Sequence, residues 1–112
     1  MKKVNLLMGE SDQFDGTAAI LCPVCKQTNV HPLSVKINKG GECVTSNAEG
    51  THLNVEKPAI QTRGVFIEQS FGCEHGHEFA LQMAFHKGHT YAKVVNIASH
   101  EDNSFIKTLW RD

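Results

Sequence analysis

The sequence lacks any apolar run that approaches the length of a membrane-spanning helix, which is about 20 residues. It begins with the basic residues of Met1-Lys2-Lys3, but the apolar run that follows is too short and too soon interrupted for a secretory signal peptide. We therefore expect a cytoplasmic protein without membrane association. In that compartment cysteines stay reduced, and closely spaced cysteines favour a metal site over a disulfide.

The chain also lacks a strong excess of charge of either sign. Its formal net charge is −1, which disfavours a protein that holds nucleic acid by overall charge alone. Hydrophobic residues make up 40% and charged residues 21%, too apolar and too balanced for a disordered chain. With 112 residues we expect one domain, 1–112, with an adequate but not generous core, so that a structural metal would matter to its stability.

Several catalytic motifs are missing. There is no Gly-rich phosphate loop, no serine nucleophile elbow and no His-Glu-x-x-His helix of a metalloprotease. The apolar residues instead alternate with polar ones, which predicts strands. Expected strands cover Val4–Met8, His31–Asn38, Thr51–Val55, Val65–Phe71, Glu78–Lys87 and Tyr91–Ile97.

Short turns between these strands predict a mainly β fold, an antiparallel twisted sheet or small sandwich. In the clearest strand, Phe79, Leu81, Met83 and Phe85 should share one face, with Ala80, Gln82, Ala84 and His86 on the other. The polar segments Gly9–Gly16 and Gly41–Gly50 are interpreted as loops, the second one mobile. The tail from Asp102 to Asp112 could form a short C-terminal helix or an extended arm that packs Trp110 on the sheet.

The strongest chemical signal is a pair of cysteines, Cys22 and Cys25, two residues apart around Pro23. A tight turn at this spacing brings both sulfurs to one side, as zinc sites commonly require. The second pair should come from Cys73 and His77, because Gly76 lets the backbone fold back between them. His75 and His31 remain alternatives for the fourth ligand. Four protein ligands would make the zinc structural, since a catalytic zinc keeps a position for water.

Two other interpretations of the cysteines compete with zinc. Cys22 and Cys73 could simply be small buried residues. A redox-active pair is disfavoured, because thioredoxin-like pairs precede a helix in a βαβ setting, whereas a strand is expected after Cys25. Cys43 lies outside the proposed site and is interpreted as a free thiol.

A second cluster of chemically active residues surrounds the predicted hairpin turn at Lys87-Gly88. His86, Lys87, His89 and Tyr91 could contact an anion or a partner there. The alternative is an ordinary polar turn whose glycine is needed for its geometry.

These motifs together resemble a group of small, uncharacterised zinc-ribbon-like proteins of bacteria and of phages or other mobile elements. The resemblance covers most of the chain and rests on Leu21–Cys25, Val30–Pro32, Arg63–Val65, Cys73–Phe79, Phe85–Thr90 and Thr108–Asp112. It implies Cys73 and His77 as the second half of the zinc site, and it implies no activity.

We therefore expect a zinc-stabilised binding module with a protein or nucleic acid partner, either a monomer or a homodimer. An enzyme is the less favoured expectation. It would be a zinc-dependent hydrolase or nuclease with an open coordination position and His75, His86 or His89 as acid or base.

Overall fold

The computed structural model describes the backbone of residues 2–4 and 7–8, and all atoms of residues 18–58 and 64–107. These residues form nine strands. The strands are β1 (Lys2–Val4), β2 (Leu7–Met8), β3 (Ile20–Leu21), β4 (Val30–Lys39), β5 (Glu42–Asn47), β6 (Gly50–Val55), β7 (Val65–Cys73), β8 (His77–His86) and β9 (His89–Ser99).

Seven of the strands form one antiparallel sheet in the order β1-β9-β8-β7-β4-β5-β6, while β2 and β3 pair separately. The predicted mainly β, antiparallel fold is therefore confirmed. No helix of membrane-spanning length and apolarity occurs in the part of the chain that the structure describes.

Two-residue turns set the register of two of the hairpins. Gly40 and Gly41 have φ values of 65° and 98°, and Lys87 and Gly88 have values of 52° and 85°. Positive φ at both central residues is typical of the hairpin turn whose twist matches that of the strands. The turn predicted at Lys87-Gly88 is confirmed, with His86 and His89 paired across it.

The prediction of a mobile loop over Gly41–Gly50 is wrong, because residues 42–47 form β5, which pairs with β4 on one side and β6 on the other. The polar composition concealed a strand whose Cys43 is buried. Asn38 stabilises the adjoining turn, since its side chain accepts a bond from the Gly41 amide at 3.0 Å and donates one to the Glu56 carbonyl at 2.7 Å.

The ends of the chain also differ from expectation. The prediction of one strand over Val4–Met8 is wrong, because Val4 belongs to β1, which pairs with β9, whereas Leu7 and Met8 form β2, which pairs with β3. No helix follows Asp102 in the described residues up to 107. Asp102 instead accepts a bond from the Ser104 amide at 2.8 Å, and the His100 ring stacks on Phe105 with ring centroids 3.9 Å apart. The predicted loop at 9–16 and the expected packing of Trp110 lie outside the described residues.

The two faces of the sheet bury different residues. The predicted alternation along β8 is confirmed, but the set with small side chains is the more buried one: Ala80, Gln82 and Ala84 are all at most 4% exposed. Gln82 is satisfied there by donating to the Glu68 carboxylate at 2.6 Å. On the opposite face, Phe79 is buried and Phe85 is 48% exposed, so that face is covered at one end of the strand only.

The covered end of that face holds the apolar core. Its buried members are Cys22, Phe71, Cys73, Phe79 and Val94. The rings of Phe71 and Phe79 stack with centroids 5.4 Å apart. The core therefore includes two of the four predicted zinc ligands.

Candidate metal centre

The first half of the site is a tight turn that follows β3. The Lys26 amide donates to the Cys22 carbonyl at 2.8 Å, and the Cys22 amide donates to the Gln27 carbonyl at 3.0 Å. Lys26 takes a positive φ of 62°, which closes the turn. The Val24 amide points at the Cys22 sulfur at 3.4 Å, a contact that favours a thiolate at this position. The local sequence thus directs Cys22 and Cys25 to one side.

The second half of the site is the turn between β7 and β8. Cys73 is the last residue of one strand and His77 is the first residue of the next. The Gly76 amide donates to the Cys73 carbonyl at 3.0 Å, and Gly76 has a φ of 94°. This turn places the Cys73 sulfur 3.3 Å from Nδ1 of His77.

The two halves meet in one cluster. One donor atom from each of Cys22, Cys25, Cys73 and His77 lies within 4.8 Å of the others. The Cys25 and Cys73 sulfurs are 3.8 Å apart, and the Cys22 sulfur is 3.6 Å from Nδ1 of His77. Residues 48 positions apart in the chain therefore contribute to a single site.

The cluster has the dimensions of a tetrahedral zinc site. Zn–S bonds of about 2.3 Å and Zn–N bonds of about 2.0–2.1 Å put two sulfurs about 3.8 Å apart and a sulfur and a nitrogen about 3.6 Å apart. The distances between these donor atoms, 3.8, 3.6 and 3.3 Å, are close to those values. Three thiols and one imidazole are also donors that zinc prefers. The cluster therefore suits a structural zinc ion.

The same distances exclude a disulfide, since a sulfur–sulfur bond is about 2.05 Å long. All four cysteines of the chain are free thiols. Burial raises the pKa of the Cys22 thiol to about 11, partly offset by bonds from the backbone of Cys25 and Val24. A cation among the sulfurs would favour the thiolate form instead.

The two alternative histidine ligands lie outside the cluster and serve other contacts. Nε2 of His75 accepts a bond from the Gln27 side-chain amide at 3.1 Å, which ties the two turns together. Nε2 of His31 contacts the Glu74 carboxylate at 2.9 Å. The structure thus brings His77, rather than His75 or His31, to the three sulfurs.

Further contacts around the site could not be found from the sequence. His100 contacts the Glu78 carboxylate at 2.9 Å, and its backbone amide donates to the Gly76 carbonyl at 2.7 Å. These contacts join the chain after β9 to the second turn. No local spacing signals them, because the residues are brought together only by the strand register.

The predicted partner-binding residues lie at the far end of β8. His86 and His89 pair across the turn, and Tyr91 follows on the same face, opposite Ala84. The His89 and Tyr91 rings meet edge to face with centroids 6.1 Å apart. At about 3.3 Å per residue, the ten-residue strand separates this tip from His77 by about 30 Å. His86 and His89 are therefore too distant to act on a metal-bound water.

We compared the chain with protein-family models, with curated proteins and with solved structures, and found no match. The site is therefore interpreted from its own geometry. What the structure shows is a Cys3His cluster on an antiparallel β-sheet.

Proposed function

We propose that this protein is a small, zinc-stabilised binding module whose metal ion is structural. The observation that carries this proposal is the convergence of four protein donors on one point. With all four tetrahedral positions supplied by side chains, no position remains for a catalytic water. Cys22 and Cys73 are fully buried in the apolar core, which also favours a structural role.

Metal content and coordination test this part of the proposal. Protein purified without chelators should contain one zinc ion per chain. After replacement of zinc by Co²⁺, the absorption spectrum should show the intense visible bands of a four-coordinate cobalt–thiolate centre. A weak five-coordinate spectrum, or a water signal in relaxation measurements, would support the alternative of a zinc-dependent hydrolase or nuclease. A metal-free native protein would refute both.

The surface proposed to bind a partner is the hairpin tip formed by His86, Lys87, His89 and Tyr91. Lys87 is exposed at the turn, and Tyr91 is 56% exposed. An ammonium group beside an aromatic ring and imidazoles offers charge, stacking and hydrogen bonds within a few residues. Such a surface suits nucleic acid phosphates and bases or an acidic segment of a protein. Because it lies about 30 Å from His77, metal binding and partner binding are separable.

Substitution of Lys87 tests the tip. If nucleic acid is the partner, affinity for single-stranded and duplex oligonucleotides should fall with added salt, and Lys87→Ala should lower the slope of that dependence by about 1. Fluorescence anisotropy measures both effects. Lys107→Ala is the matched control, because Lys107 is also exposed but lies outside the tip. Oligonucleotide binding that is absent, or indifferent to salt and Lys87→Ala, would leave a protein as the proposed partner class.

We further propose that the chain belongs with the small zinc-ribbon-like proteins of bacteria and phages or other mobile elements. The proposal is supported by the pairing of the Cys22–Cys25 turn with the Cys73–His77 turn. Genes adjacent to its own would test that context.

A further inference from the structure

The two edges of the seven-stranded sheet are built differently. One edge is β1, which is only three residues long and includes Lys2 and Lys3. Short edge strands that carry lysine are a common protection against pairing with another chain. The other edge is β6, Gly50–Val55, which is six residues long and contains no charged residue and no proline. Among the strands that the structure describes, β1 therefore has these protective features and β6 lacks them.

Two of the exposed side chains of β6 are large and apolar. Leu53 and Val55 are 82% and 86% exposed. Leu53 ends a row of apolar side chains that crosses six strands on one face of the sheet. The row consists of Ala92, Met83, Ile67, Ile37, Val44 and Leu53, each paired with the next. Ile37 is still 42% exposed, so this apolar surface extends inward from the edge.

The backbone of the same residues also faces outward. In antiparallel pairs, residues alternate between those that exchange both hydrogen bonds and those that exchange none. The two-residue turn at 48–49 and the bond from the Glu56 amide to the Gly41 carbonyl show which residues of β6 are hydrogen-bonded to β5. Thr51, Leu53 and Val55 are the alternate residues, and they direct their N–H and C=O groups away from β5. Within the described part of the chain, β6 pairs with β5 alone.

We infer that β6 is a homodimer interface, at which β6 of a second copy pairs antiparallel about a twofold axis at Leu53. Leu53 then faces Leu53 of the second copy, and Thr51 faces Val55. This register satisfies the outward groups of all three residues with about six hydrogen bonds. It joins the two sheets and places the two exposed leucines side by side.

Charge complementarity favours a second copy over an unrelated strand. In the same register, Glu49 lies opposite Lys57 of the second copy, and the twofold axis repeats the pair. Both residues are exposed and lie just beyond the ends of β6. The strand itself has no charge that would meet its own copy. This inference does not depend on the proposed function, since it involves neither the metal cluster nor the hairpin tip.

A charge-exchange experiment at Leu53 tests the interface. The wild-type protein should sediment with twice the 12.4 kDa mass of one chain at high concentration. Leu53→Lys and Leu53→Glu alone should each raise the dimer dissociation constant about 100-fold, because the twofold axis places like charges together. An equimolar mixture of the two variants should restore the dimer. Only an axis that passes beside residue 53 explains this rescue.

The control is Ile97→Lys, which introduces the same charge at another exposed apolar residue of the sheet. It should leave the dimer intact. Zinc content and circular dichroism should be unchanged in both Leu53 variants, because the Leu53 side chain is 82% exposed in the monomer. A wild-type chain that stays monomeric up to about 1 mM would overturn the inference, as would a dimer that Leu53→Lys leaves intact. If the wild type stayed monomeric, a strand of another protein would be the remaining candidate to pair with β6.

Discussion

Replacing Cys73 with serine is expected to leave most of the chain unfolded at neutral pH. The substitution removes one of the four donors, and a hydroxyl is a poor zinc ligand. Because metal binding in small zinc domains is largely folding free energy, the loss should reach several kcal/mol out of a typical total of about 5–15. Cys73 also packs in the core with Phe71 and Phe79. Removing zinc from the wild type with a chelator should have the same effect.

Circular dichroism and urea unfolding of the zinc-loaded protein measure this effect. Cys43→Ser is the matched control, because Cys43 is also buried, only 1% exposed, but lies outside the cluster. It should cost about 1 kcal/mol and leave one zinc per chain. If Cys73→Ser and Cys43→Ser proved equally stable, or if the chelated wild type remained folded, the metal would not hold this fold together.

The four residues of the Cys3His cluster could be predicted because each pair is local. Cys22 and Cys25 lie in one turn, and Cys73 and His77 lie in another, so spacing alone suggests both pairs. The choice of His77 over His75 was harder to predict, because both histidines flank Gly76. In the structure Nδ1 of His77 lies 3.3 Å from the Cys73 sulfur and 3.6 Å from the Cys22 sulfur, whereas His75 contacts Gln27. The contacts with Cys22 and Gln27 exist only once the two turns have met.

The errors of the sequence analysis have a common physical origin. Strand β5 is mostly polar, and its buried Cys43 is paired with Asn38 of β4 on one side and with Asn54 of β6 on the other. The stability of a strand between two others depends on its backbone and side-chain pairs with both neighbours, which the strand's own composition does not show. The tail after Asp102 has helix-forming spacing, but the stacking of His100 on Phe105 and the bonds of Asp102 favour a compact turn.

Substituting Gly76 with alanine should be the second most damaging change, with a loss of about 2–4 kcal/mol. A Cβ atom at this position would lie 2.2 Å from the carbonyl oxygen of His100. Backbone cannot move aside as a flexible side chain can, so the bond from the His100 amide to the Gly76 carbonyl would break. Residues 100–102 would have to move, and the turn that carries Cys73 and His77 would shift with them. Zinc affinity should therefore fall together with stability.

Gly88→Ala is the control that separates the effect of the close contact with His100 from the effect of a positive φ. Gly88 has a φ of 85°, close to the 94° of Gly76, but no atom lies within 4 Å of the position of its added Cβ. Gly88→Ala should therefore lower the free energy of unfolding by only about 1 kcal/mol, the cost of alanine in the left-handed conformation. It should leave zinc affinity unchanged. Urea unfolding and competition with a zinc chelator measure both quantities. Equal losses in the two variants would mean that φ alone matters and that the contact with His100 does not position the metal site.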